Sequence, residues 1–144
     1  MLQISVSDKG IRDAINKYLN FFTDLNPVLK DTGDYLLTAV RNRIQNTKTD
    51  PNGVAWAPMS PSTTRNRLRR GTLGGGLLND SGNLLNSIRA EIGPGQVSIT
   101  SSAPYAQFVQ QGTSRMPPRQ FLGWSEADRS EIVNLINKRI QGLK

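Results

Sequence analysis

Neither cysteine nor histidine occurs anywhere in the 144 residues of this chain. That removes disulfides, thiolate nucleophiles, zinc sites built from either residue and every mechanism whose base is an imidazole. The eleven acidic residues are scattered, with no DxD or ExxE cluster to act as an acid and base pair or to hold a hard metal. The residues thus point to no catalytic group, no cofactor and no metal site, and the chain reads as a non-enzyme. Long apolar runs are also missing, and a membrane-spanning helix needs about 20 such residues. Leu2, Gln3, Ile4, Ser5 and Val6 form neither a basic nor a long apolar leader. The expectation is a soluble protein made in a cytoplasm, with no membrane partner.

Apolar residues are 36% of the chain and glycine supplies 13 positions, the low edge of the globular range, so the core should be thin. The length fits one domain spanning residues 1–144. Eighteen basic residues give a formal charge of +7. The excess is concentrated between residues 51 and 90, where five basic residues face one acid. Its focus is Arg65, Arg67, Arg69 and Arg70, just before the glycine-rich run Gly71 to Gly76.

Apolar residues at Ile11, Ala14, Ile15, Tyr18, Leu19 and Phe22 follow a three-and-four spacing that predicts a helix. Asn26 and Pro27 offer a cap and a first helical position for a second helix, with the stripe Leu29, Gly33, Leu36, Leu37, Val40 and Ile44. Gly33 costs about 1 kcal/mol of helix propensity relative to Ala, and its place on the apolar face predicts close approach of another element. The two helices should form a hairpin. Between Thr47 and Asn83 the periodicity stops, which predicts a long, mobile connection rich in glycine and arginine, with Trp56 docking part of it on the body. Ile88, Ala90 and Ile92, then a Gly93-Pro94-Gly95 turn, then Val97 and Ile99, predict an antiparallel hairpin with one buried face. Residues 2–6 offer a further strand to it. Ser125 with Asp128 forms the aspartate version of a capping box and opens a last helix that runs to near Gln141, with Ile132, Val133, Ile136, Ile140 and Leu143 on one face. The fold class is therefore α+β.

The glycine run fits no phosphate-binding pattern, because no strand leads into it and neither GxGxxG nor GxxxxGK can be written through it. The four arginines suit either phosphate contacts or a solvated surface, and no aromatic is interleaved among them to stack on bases. Tyr105, Phe108 and Phe121 suit core packing better than a ligand pocket, their neighbours being apolar or turn-forming. Arg119, beside Phe121 and Leu122, suggests a salt bridge, one that could cross a subunit boundary.

Two blocks carry a resemblance. Asp50-Pro51-Asn52-Gly53 leads to Trp56, Pro58, Ser60 and Thr63, then Leu78-Asn79-Asp80-Ser81-Gly82 with Leu84, Ser87 and Ile88. Pro104-Tyr105-Ala106 then leads to Gln110, Gly112, Pro117, Arg119, Phe121, Leu122, Gly123 and Asp128. In order and spacing these resemble the phage virion morphogenesis family of tail-completion proteins. Val109 stands where the family commonly has His, and Gln120 where it commonly has Pro, so any role of that His is absent here. The resemblance implies a structural protein of a tailed bacteriophage. Such a protein completes or terminates the tail and prepares it for head–tail joining. Its implied partners are itself, in a ring such as a hexamer, the tail-tube protein, the head–tail connector proteins and DNA passing through the lumen. Its implied place is the host cytoplasm during assembly and then the head-proximal end of the tail. Trp56, Tyr105, Arg119 and Phe121 become candidate assembly residues, and Arg65, Arg67, Arg69 and Arg70 a candidate phosphate- or partner-contacting loop. A basic nucleic-acid-binding module using that loop is the rival reading.

Overall fold

The computed structural model describes residues 9–142. In chain order it contains α1 (Lys9–Thr23), α2 (Asn26–Asn42), α3 (Pro61–Arg70), α4 (Asn83–Ser87), β1 (Ile88–Gly93), β2 (Gln96–Ser101), α5 (Ala106–Gln111) and α6 (Glu126–Gln141). This is the α+β arrangement expected, with an N-terminal pair of helices, a small antiparallel sheet and a C-terminal helix. The strand expected from residues 2–6, and Leu143 of the last helical face, lie outside the described residues.

Helix α2 is the axis of the molecule. Pro27 sits in its first turn as expected, but Leu25 and not Asn26 holds the cap position and no side chain caps the helix; Asp24 Oδ1 accepts from Asn26 N at 3.1 Å in the turn before it. Val28, Thr32, Gly33, Leu36 and Val40 are buried along it. Gly33 lies against the sheet: a Cβ there would meet Val97 Cγ2 at 3.1 Å and Ala90 Cβ at 3.3 Å. The glycine thus lets the helix settle on the hairpin, the close approach expected from its place in the stripe. In the hairpin Ala90 pairs with Ile99 and Ile92 with Val97. The last turn of α2 widens into a π turn, Arg43–Thr47, closed by Lys48 at φ 55°. The turn buries Arg43 and Ile44 together.

Phe121, Ile44, Leu84, Ile88 and Val40 are the largest fully buried side chains. Trp56, Leu78, Ala106 and Val109 complete their cluster. Helix α6 contributes little apolar burial: its buried residue is Asp128, and Val133 is exposed. The capping box is present, with Ser125 Oγ accepting from Asp128 N at 3.1 Å and Asp128 Oδ2 accepting from Ser125 N at 2.8 Å. In α1, Leu19 is 57% and Phe22 66% exposed, so the end of its apolar face is uncovered. Among the described residues no helix is long and apolar enough to cross a membrane.

The segment 47–83 differs from the sequence expectation, because its arginines lie on a helix. Ser60 Oγ accepts from Thr63 N at 3.2 Å, Pro61 opens α3, and Gly71 closes it at φ 70°. Periodicity fails to announce α3 because Leu68, an apolar residue on it, is exposed, and its buried position is filled by Arg67. The terminal signals, Ser-Pro before and Gly after, were the legible ones.

Candidate functional site

The two sequence blocks fold against each other and enclose a groove of about 530 Å³. Asp50 builds the entry to the first block: its Oδ1 accepts from Asn52 N at 2.9 Å and Val54 N at 2.8 Å around Gly53. Trp56 then turns inward, and its Nε1 donates to Gln120 O at 3.0 Å. Trp56 is buried and Phe121 fully so. Both candidate assembly residues therefore lie beneath the surface.

Within this chain Arg119 forms no ion pair among the described residues. Its Nε donates to Ala57 O at 3.0 Å and its Nη2 to Pro58 O at 2.9 Å, while its own N donates to Val109 O at 2.8 Å. It therefore pins the 57–58 segment to α5, within this chain. Burial, with the charge of Arg67 nearby, lowers its pKa from the ordinary arginine value.

Arg67 does the same for the glycine-rich segment. It donates to Gly76 O and, at 3.0 Å, to Leu77 O, and its Nε lies 3.6 Å from Asp80 Oδ1. Asp80 also accepts from Thr72 and from Arg70 at 2.7 Å. The Thr72 hydrogen bond, then the Arg70 one, hold its carboxyl below the usual range. Of the four arginines read as one basic loop, Arg67 is thus internal and Arg70 is tied to Asp80. Arg65 and Arg69 are exposed one turn apart on α3.

The opposite wall is α5 and the turn after it. Gln110 reads the backbone of the core segment: Oε1 accepts from Phe121 N and Leu122 N, both at 3.1 Å, and Nε2 donates to Leu122 O at 3.1 Å. Gly112, at φ 74°, leaves no room for a side chain, since a Cβ would lie 2.7 Å from Pro118 N and 2.9 Å from Met116 O. Tyr105 is 41% exposed and lines the groove, and Phe108 is also exposed. Neither takes the core position expected for it, because α5 directs Ala106 and Val109 inward instead.

The centre that sequence reasoning missed lies behind the groove. Arg43 donates to Asp128 Oδ2 at 2.5 Å and to Gly123 O at 2.7 Å, and Tyr35 donates to Asp128 Oδ1 at 2.9 Å. The capping box marked Asp128, but its cation stands far away in sequence.

Among the described residues no three carboxylates gather as a metal site would require. The groove offers guanidinium groups, main-chain struts and apolar walls, which suit contact. No curated protein and no solved structure matches the chain. The phage virion morphogenesis family does match, over residues 6–141, and both walls of the groove lie within that span; the chain belongs to this family.

Proposed function

We propose that this protein finishes the phage tail. Copies close into a ring on the last ring of tail-tube protein, stop its growth and present a surface to the head–tail connector proteins. The observation that carries this reading is the family match across nearly the whole chain, which makes the protein a part in building a virion. A ring needs two different surfaces on each copy that meet head to tail and close. The uncovered end of α1, with Leu19 and Phe22 exposed, suits one of these surfaces. Arg65 and Arg69 on the outer face of α3 suit the lumen, where phosphates of passing DNA attract cations.

A phage lacking the protein tests the proposal. Electron microscopy of its lysate should show full heads beside separate tails, some of irregular length, and purified protein added afterwards should restore plaques. Empty heads, unprocessed capsid protein or absent tails would place the protein at an earlier step.

A further inference from the structure

The groove holds more positive charge than the chain itself neutralises. Arg67, Arg115 and Arg119 line it with one carboxylate, Asp80, which Arg70 also engages at 2.7 Å. Arg119 is 8% exposed, yet its Nη1 has no protein acceptor among the described residues. A guanidinium so deeply placed, with an N–H fork still open toward a cavity, favours a carboxylate there, because the planar fork matches it in two hydrogen bonds. Around it the walls are apolar: Met59, Leu77, Tyr105, Met116 and Pro117.

We infer that the groove binds an acidic segment of a partner protein. A carboxylate of that segment pairs with Arg119, its apolar neighbours pack on Met59, Tyr105 and Met116, and Arg115 at the rim attracts a second acid. Two observations decide the kind of partner. The chain carries +7 overall, so at longer range it repels a second copy and attracts an acidic partner. Arg119 is recessed between apolar walls, whereas a DNA backbone needs cations that reach outward. The volume, about 530 Å³, lies within the range of about 300–1,000 Å³ in which pockets take small ligands. This deepens the assembly reading by giving one contact a chemistry, and it is tested directly on the purified protein, so either can fail alone.

The test is an NMR titration at constant ionic strength with acetyl-Leu-Asp-Leu-amide, its Asn counterpart and a short DNA duplex. The signals followed are Arg119 Nε–H, the Met59 and Met116 methyls and the Tyr105 ring. The Asp peptide should shift these signals saturably at millimolar concentration, and the Asn peptide should bind several-fold more weakly. Arg115→Gln, which leaves the internal struts intact, should weaken the Asp peptide roughly two- to fivefold. Arg119→Lys, if folded by its amide spectrum, should abolish the preference for Asp over Asn. Equal binding of both peptides, no shift in the groove, or shifts there from DNA and not from the Asp peptide would each overturn the inference.

Discussion

Arg43 at the end of α2 and Asp128 in the first turn of α6 meet at 2.5 Å, each with its side chain 8% exposed. The pair joins these two helices, and Arg43 also binds Gly123 O, in the segment that carries Phe121.

Breaking this pair should be costly. Arg43→Ala leaves a buried carboxylate uncompensated and removes the donor from Gly123 O, so about 3–5 kcal/mol should be lost in urea unfolding. Replacing both residues by Met and Leu should recover much of that loss. A loss below about 1 kcal/mol in the single variant would mean the pair behaves as a solvated one.

Stability should fall at both ends of the pH range, for different reasons. Burial alone would raise the Asp128 carboxyl, but hydrogen bonds from Ser125 and Tyr35 and the charge of Arg43 hold it below its ordinary 3.8. A depressed folded value means the contribution is present above that ordinary value and is lost as pH falls through the folded one. Tyr35 is pushed up from 10 to about 12, first by burial and then by its hydrogen bond to Asp128. Its contribution is therefore full below pH 10 and disappears between 10 and about 12. Chemical denaturation across pH should show both limbs, and Tyr35→Phe should abolish the alkaline one and, by removing one of the hydrogen bonds that hold Asp128 down, also weaken the acid one.

Gly112 and Gly71 make a controlled comparison. Both have positive φ, at 74° and 70°, but an added Cβ meets nothing at Gly71 and meets backbone at Gly112. Gly71→Ala should cost about 1 kcal/mol, the left-handed strain alone. Gly112→Ala should cost at least twice that in thermal unfolding, since the turn that positions Met116 must open.

Phe121 and Tyr105 should separate fold from contact. Phe121→Ala should lose about 3–5 kcal/mol, being fully buried. Tyr105→Ala should change the melting temperature little and reduce virion yield in complementation, because its ring is 41% exposed in the groove. A cooperative loss of fold in Tyr105→Ala would return that ring to the core.

The regular elements were legible where one side-chain period ruled. The stripe of α2, the pairing of β1 with β2 and the cap of α6 appear as the sequence implied, although Ile92, expected on the buried face of the hairpin, is 45% exposed near its turn. Helix α3 was not, because Arg67 occupies its inward position and supplies a long, partly apolar stem with a cation that binds carbonyls. Hydropathy reads such a residue as surface. The intrachain partners of Arg119 were hidden for the same reason: a charge beside two apolar residues suggests an acid, and hydropathy does not announce the peptide oxygens it also holds. Phe121, Trp56 and the two blocks were visible, but the way they enclose a groove depends on contacts distant in sequence. The glycine and arginine segment looked uniform in composition, yet its residues divide into internal struts and an exposed pair.

Arg67 and Arg119 grip the main chain at Gly76, Leu77, Ala57 and Pro58, and every residue type carries a main-chain oxygen. The two clamps therefore read no side chain at the clamped positions, although Gly76, at φ 89°, is held to glycine by its own backbone. They fix the route of the chain and leave its outward lettering free to change. A frame of this kind keeps its shape through substitutions along the rim while the clamps stay in place.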